Sequence, residues 1–168
     1  VVGAAGESDH DIVRAASWLY GRLQLARVYY SKFQPLAGTP LAHRPAAPFL
    51  REHRLYQADF LLRKYGFTLE EIPFDRRHHL SLDEDPKTAW AKANPQRFPL
   101  EVNRASPEEL MRVPGIGPTS AERLTSMRRD GQIRTTDALR AAGARWRVAA
   151  PYLLLDGRRA APRQLSLF

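Results

Sequence analysis

The 168-residue chain has no cysteine, which excludes disulfides, a thiolate nucleophile and an iron–sulfur cluster or cysteine zinc site held by its own thiolates. It has no apolar run near the roughly 18 residues of a membrane-spanning helix, so no membrane partner is expected. Lysine is scarce, since 22 of the 26 basic residues are arginine. The net charge of +8 favours a polyanionic partner, and residues 112–163 contain 11 arginines against four acidic residues.

The first part of the chain has the pattern of a strand, a helix and a second strand. Residues 1–6 and 27–33 have strand composition, and Ser8 or Asp9 can cap the helix between them. This order predicts a parallel strand pair, which needs neighbouring strands for stability. The predicted fold class is an α/β remnant followed by a mainly α-helical domain. We expect the chain to be an N-terminally truncated piece of a longer protein.

The rest of the chain is predicted to be mainly helical. Helical spacing and start signals predict segments over residues 50–65, 68–72 and 86–93, a helix after 106, and helices over 119–129, from 136 and over 145–154. Ser106 and Glu109 have the spacing of a capping box. The predicted divisions are a first region with the strands and a loop, a helical extension, a helical domain and a flexible tail: residues 1–49, 50–99, 100–155 and 156–168.

The sharpest internal motif is the sequence VPGIG at residues 113–117, between two predicted helices. Two glycines one residue apart allow backbone conformations that a Cβ opposes, and they let another backbone approach closely. The helix that follows begins with unpaired N–H groups and the positive end of its dipole. Loop amides and a helix N-terminus together form a phosphate site, with Ile116 as a buried anchor and Arg123 one turn along the helix.

This segment resembles the helix-hairpin-helix DNA-binding module over the stretch EVNRASPEELMRVPGIGPTSAERL. In that family, backbone N–H groups of the loop bind phosphates of duplex DNA without reading the sequence. The resemblance implies a non-specific DNA site formed by Gly115, Ile116, Gly117, Thr119, Ser120 and Arg123. Thr119 departs from the family, which often has lysine there, so one positive charge is missing. A second loop, residues 142–145, has lost one glycine and is expected to be structural.

Several arginines favour DNA as the partner of this segment: Arg128, Arg129, Arg134, Arg145 and Arg147. Each of them taken alone is also explained as part of a solvated helix face. A hairpin of this type also occurs as a structural element that mediates protein contacts. Salt-dependent binding of duplex DNA distinguishes these alternatives.

The chain ends in the pentapeptide QLSLF after a basic segment with glycine and proline. Leucine and phenylalanine at an exposed chain end are unusual, because such side chains are normally buried. The pentapeptide resembles the clamp-binding peptide of bacterial polymerases and mismatch-repair proteins. The resemblance implies that Gln164, Leu165, Leu167 and Phe168 enter a hydrophobic groove on the polymerase sliding clamp. The alternative is a tail that packs on its own domain.

The N-terminal segment VVGAAGE resembles a late strand of radical SAM barrels, in which a glycine-rich motif ending in glutamate lines S-adenosylmethionine. Gly3, Gly6 and Glu7 take those places, with a spacing one residue longer than the motif. The order of the segments GAAGESD, RVYYSKFQP, LREHRLYQADFLLRKYGF, DPKTAWA and the hairpin resembles a family of bacterial radical SAM proteins linked to DNA modification or repair. The resemblance covers nearly the whole chain.

This second resemblance implies that the chain is the C-terminal part of a cytoplasmic radical SAM enzyme and contains the last strands of its partial barrel. The cysteines that bind the cluster lie upstream in that family, so the parent protein would hold the 4Fe–4S cluster and S-adenosylmethionine. A non-enzymatic DNA-binding adaptor is the alternative, and an upstream three-cysteine motif separates the two. No catalytic residue is predicted within this chain. No metal ligand is predicted either, since His78 and His79 are adjacent and would point apart in a strand.

Overall fold

Capping and apolar spacing set the helices of the first part of this computed structural model, which describes residues 1–160. The helical segments are α1 (Asp9–Leu23), α2 (Phe49–Lys64), the 3-10 turn Leu69–Glu71 and α3 (Pro86–Ala93). Ser8 caps α1, because its side chain accepts the N–H of Asp11 at 3.1 Å while the Asp11 carboxylate accepts the N–H of Ser8. The helical segments predicted over residues 50–65, 68–72 and 86–93 are confirmed to within one residue.

Two buried carboxylates hold α1 and α2 in place. Asp9, 1% exposed, accepts hydrogen bonds from Nε of Arg51 at 2.6 Å and from the N–H of Leu80 at 2.9 Å. Asp59, also 1% exposed, is bonded by the guanidinium of Arg63 at 2.6 Å and by the hydroxyl of Tyr20. A buried charge is costly unless it is paired in this way, so both carboxylates tie separate segments together.

The predicted strands at residues 1–6 and 27–33 do not form. Within residues 1–160 they make one isolated parallel bridge, between Val2 and Lys32. Side chains of α1 and α2 take the N–H groups that would extend a sheet. The hydroxyls of Tyr20 and Tyr56 accept from residues 28 and 30 at 3.0 and 2.9 Å, and Glu52 accepts from Lys32 at 2.7 Å. The parallel direction was predicted correctly, but the sheet it implied is absent from the described residues.

The second part of the chain contains short helices and a small sheet. Its elements are β1 (Leu100–Glu101), α4 (Pro107–Arg112), α5 (Pro118–Asp130), α6 (Thr136–Ala141), α7 (Trp146–Ala149), the 3-10 turn Ala150–Tyr152, β2 (Leu153–Leu155) and β3 (Arg158–Arg159). The capping box at α4 is confirmed, since Oγ of Ser106 accepts the N–H of Glu109 at 3.1 Å and Oε2 of Glu109 accepts the N–H of Ser106 at 2.7 Å. The helix predicted over residues 145–154 is wrong beyond Tyr152, where the chain becomes a strand.

The sheet has the strand order β1-β2-β3, with β1 parallel and β3 antiparallel to β2. Asp156 and Gly157 form the turn between β2 and β3, with φ angles of 53° and 75° that are typical of a type I′ hairpin. Glu101 accepts the N–H of Gly157 at 2.7 Å and the N–H of Asp156 at 3.2 Å. Burial raises the pKa of the Glu101 carboxyl, but the hydrogen bonds from Gly157, Asn103 and Asp156 outweigh burial and hold it below its usual value. Residues 156–160 are therefore a hairpin and not part of a flexible tail.

The chain divides into two units, Val1–Trp90 and Ala91–Phe168. The core of the second unit is built from side chains that are almost fully buried: Val102, Leu110, Val113, Ile116, Leu124, Leu139 and Leu153. The described part of the protein is mainly helical with one small three-stranded sheet, so the predicted barrel remnant is not shown. Within residues 1–160, no helix has both the length and the apolar character needed to cross a membrane.

Candidate nucleic-acid interface

The first loop, residues 113–117, joins α4 to α5 and contacts the second loop, residues 142–145. Gly115 has φ +82°, a conformation that other residues rarely adopt, and its carbonyl accepts the N–H of Arg145 at 2.8 Å. A Cβ added at Gly115 would lie 2.8 Å from the carbonyl oxygen of Arg145, which is backbone and cannot turn away. Glycine at this position is thus required both by the turn and by the contact between the loops.

Ile116 was predicted as part of the DNA site and as the anchor of the loop, and the structure gives its side chain the second role. The side chain is 1% exposed and belongs to the core of the second unit. Burial of an isoleucine stabilises a fold by about 1.5–3 kcal/mol, enough to fix the loop on the helices. The side chain itself has no surface to offer to DNA.

The start of α5 is uncapped, unlike the starts of α1 and α4. Gly117 is its N-cap, with φ −99° and ψ 176°, an extended conformation open to any residue. Serine at this position of α1 and α4 accepts an N–H of the first turn, whereas glycine has no side chain to do so. Glycine at position 117 is therefore not required by the backbone. It leaves the helix terminus open.

Four backbone N–H groups at this place have no hydrogen-bond acceptor among residues 1–160. They belong to Gly115, Gly117, Thr119 and Ser120. The positive end of the α5 dipole lies at the same point, and α5 has 13 residues. Unpaired donors and a dipole of this sign are the two features that bind a phosphate oxygen. The structure thus brings together four of the six residues predicted from the hairpin resemblance.

In the second loop, by contrast, the backbone N–H groups have acceptors. Within it, the N–H groups of Gly143, Ala144 and Arg145 donate to Arg140, Leu139 and Gly115 at 2.8–3.0 Å. The next N–H, that of Trp146, donates to Ala144 at 2.8 Å. These bonds support the prediction that the second loop is structural, because the amides that would bind a phosphate are already used.

The arginines of the second unit fall into two groups. Arg128 donates from Nη1 to the carbonyls of Val102 and Ala105 at 3.1 and 2.5 Å, so it is a structural residue. Arg134 and Arg140 form ion pairs with Asp156 and Asp137. Seven others are exposed and have no ion pair within the described residues: Arg104, Arg123, Arg129, Arg145, Arg147, Arg158 and Arg159. The positive charge available to a polyanion therefore comes from this second group.

Gly143 was predicted only as part of the structural second loop, and its nearness to Arg123 was not predicted. It has φ +81°, and a Cβ placed on it would lie 3.3 Å from Nη1 of Arg123. A glycine directly after a short helix is the usual signal for such a left-handed residue. Its contact with Arg123, twenty positions earlier, has no local signal.

The N-terminal residues predicted to line S-adenosylmethionine form a turn that the Glu7 side chain holds. The Glu7 carboxylate accepts the N–H groups of Gly3 and Ala5, the second at 3.0 Å. Burial raises the pKa of Glu7, but these backbone bonds and Arg51 outweigh it and hold the pKa below its usual value. Gly3 has φ +89° and a Cβ there would lie 2.9 Å from Cβ of Ala47, so the fold requires glycine at this position. Gly6 also has a positive φ, +80°.

Two other predictions concern metals and the C-terminus. Within residues 1–160, no group of three or more histidine or acidic side chains is placed to hold a metal ion. The chain has no cysteine, so its residues do not fit an iron–sulfur cluster. Gln164, Leu165, Leu167 and Phe168, the predicted clamp-binding residues, lie outside the described residues.

Residues 98–142 match the family model of the helix-hairpin-helix motif. This segment runs from the residues before β1 to the end of α6 and includes the first loop. It ends immediately before Gly143. No curated protein and no solved structure matches the chain.

Proposed function

We propose that the second unit binds duplex DNA without sequence preference, through the phosphate backbone. The observation that carries the proposal is the uncapped start of α5, where four N–H groups have no acceptor among residues 1–160. This site lies in the segment that matches the helix-hairpin-helix motif, and such motifs commonly bind DNA. Exposed arginines of the same unit supply charge that acts on any sequence alike.

The proposal is tested by fluorescence anisotropy with two unrelated duplexes of equal length. Both should bind with the same affinity, and the logarithm of the binding constant should fall linearly with the logarithm of salt concentration. A strong preference for one duplex would contradict backbone recognition. Absence of binding at low salt would leave a hairpin that contacts protein, which is the alternative function.

The resemblance of the whole sequence supports a finer proposal, that the parent protein is a bacterial, cytoplasmic radical SAM enzyme acting on DNA. The cluster and S-adenosylmethionine would then be held by other parts of the parent, since this chain lacks cysteine. Protein produced anaerobically from the intact gene should contain about four iron and four sulfide per chain. Loss of both on changing upstream cysteines supports the enzyme. Absence of iron supports a DNA-binding adaptor.

The pentapeptide resemblance supports the proposal that residues 164–168 dock the polymerase sliding clamp. Deletion of these five residues should abolish binding to the purified clamp and leave DNA binding unchanged. The double substitution Leu167→Ala and Phe168→Ala is the matched variant, because it keeps the chain length. Equal clamp binding by the intact and deleted chains would overturn this proposal.

A further inference from the structure

Two side chains of α5 lie beside the same residue of the second loop, Gly143. A Cβ on Gly143 would lie 3.3 Å from Nη1 of Arg123 and 3.7 Å from Oγ of Ser120. Both side chains therefore reach the face of Gly143 on which any other residue carries its side chain. A Cβ there would make an unusually tight contact, so the Arg123 guanidinium in its present place would have to shift.

Ser120 adds a side-chain donor at this point. The residue is 7% exposed, and its hydroxyl has no hydrogen-bond partner among residues 1–160. A hydroxyl in this state can donate to a ligand without breaking a bond within the described residues. This hydroxyl lies in the first turn of α5, beside the open N–H groups and near a guanidinium. A phosphate group has several acceptor oxygens and can accept from more than one of these donors.

We propose that Gly143 is a positioning residue of the DNA site. Its missing Cβ lets Arg123 lie beside Ser120, so the second loop contributes to phosphate binding through Arg123 and not through its own amides. The inference rests on the proposed DNA binding at the start of α5. One phosphate site is then built from both loops, with N–H groups from the first and a guanidinium placed by the second.

The test uses Gly143→Asn, because asparagine accepts a positive φ more readily than other residues with a side chain. Its Cβ would meet the far end of a flexible side chain, so Arg123 moves aside and the fold is kept. The matched control is Gly157→Asn. Gly157 has φ +75°, and within the described residues no atom lies within 4 Å of its Cβ position. The two variants share the backbone strain and differ in the contact with Arg123.

Affinity for a labelled duplex is measured for the wild type, Gly143→Asn, Arg123→Ala, the double variant and Gly157→Asn. Gly143→Asn and Arg123→Ala should each weaken binding about fivefold, and each should lower the salt slope by about one unit, the loss of one phosphate contact. The double variant should bind no more weakly than Arg123→Ala alone. Gly157→Asn should bind as the wild type does. Thermal unfolding of each variant confirms that all are folded at the assay temperature.

The result that overturns the inference is additivity. If Gly143→Asn weakens binding by the same factor with and without Arg123, Gly143 acts through something else. An unchanged salt slope in Gly143→Asn would also overturn it, as would wild-type affinity in Gly143→Asn while Arg123→Ala is weakened. If the wild type itself does not bind duplex DNA, the proposed function fails, and the inference fails with it for that separate reason.

Discussion

The two loops of the second unit share a backbone plan and differ in how their N–H groups are used. Each loop joins two helices, and each has a glycine of positive φ, Gly115 at +82° and Gly143 at +81°. In the first loop and the start of α5, four N–H groups have no acceptor within residues 1–160. In the second loop, the three N–H groups from Gly143 to Arg145 are all bonded within the fold.

One hydrogen bond joins the two loops. The N–H of Arg145 donates to the carbonyl of Gly115 at 2.8 Å, so the second loop gives up a donor to hold the first. This bond uses the carbonyl of Gly115 and not its N–H, which has no acceptor among residues 1–160. Two similar loops thus have different functions: one presents donors and the other supports it.

The largest effect is expected when the contact between the loops is blocked. Gly115→Val should lower the free energy of unfolding by about 3 kcal/mol or more, because valine disfavours φ +82° and its Cβ would meet the Arg145 carbonyl. DNA binding should be lost with the fold. Urea unfolding followed by circular dichroism measures the change.

The control for this variant is Gly157→Val, which has the same backbone strain at φ +75° without a close neighbour among the described residues. It should cost about 1–2 kcal/mol from strain alone. Equal losses in the two variants would show that the approach of the loops contributes nothing to stability.

The next largest effect concerns the open helix start. Gly117→Asp should weaken DNA binding ten- to a hundredfold, because the carboxylate accepts first-turn N–H groups and repels a phosphate. Stability should rise by up to about 1 kcal/mol, since the variant gains the cap that α1 and α4 have. Anisotropy and thermal unfolding on the same samples should thus change in opposite directions.

Gly117→Ser separates capping from charge. A neutral hydroxyl caps the helix without repelling DNA, so its affinity should fall between those of the wild type and Gly117→Asp. Wild-type affinity in Gly117→Asp would place the phosphate away from α5.

A smaller effect on stability distinguishes an arginine of α5 that stabilises the fold from one that is exposed. Arg128→Met should lower the free energy of unfolding by about 1–2 kcal/mol, because it removes the hydrogen bonds to the carbonyls of Val102 and Ala105. Arg129→Met, at an exposed position, should change stability by less than about 0.5 kcal/mol. Chemical denaturation of the pair is the measurement. A greater loss in Arg129→Met would contradict the structural role of Arg128.

The sequence predicts those features that depend on near neighbours. The capping box of Ser106 and Glu109 spans three residues and is confirmed. The Asp156-Gly157 turn also has a local signal, because this dipeptide favours a type I′ hairpin, but the segment was predicted to belong to a flexible tail. The strand expected at residues 27–33 failed for a non-local reason: Tyr56 and Glu52, from a later helix, take its N–H groups.

In the candidate site, too, some features depend on near neighbours in the sequence and others on distant contacts. The absence of a capping side chain at Gly117 is visible in the sequence, and so is the glycine spacing of the first loop. Of the occupied N–H groups of the second loop, that of Arg145 donates to Gly115, thirty positions earlier, whereas those of Gly143 and Ala144 donate to nearby carbonyls of α6. Loop composition predicts the difference in role, since the second loop has lost one glycine, and the packing of one loop on the other shows how one of its N–H groups is used.

The smallest effect expected is a gain. Thr119 is exposed at the start of α5, and Thr119→Lys would place a positive charge beside the open N–H groups. Duplex affinity should rise about three- to fivefold at low salt, and the salt slope should steepen by about 0.9. The helix dipole opposes a cation at this end, so stability should fall by about 0.3–1 kcal/mol. Thr136→Lys, which adds the same charge at the start of α6, is the control for net charge. If both lysines raise affinity equally, the gain comes from the overall charge. That result would contradict the proposal that DNA contacts the first loop.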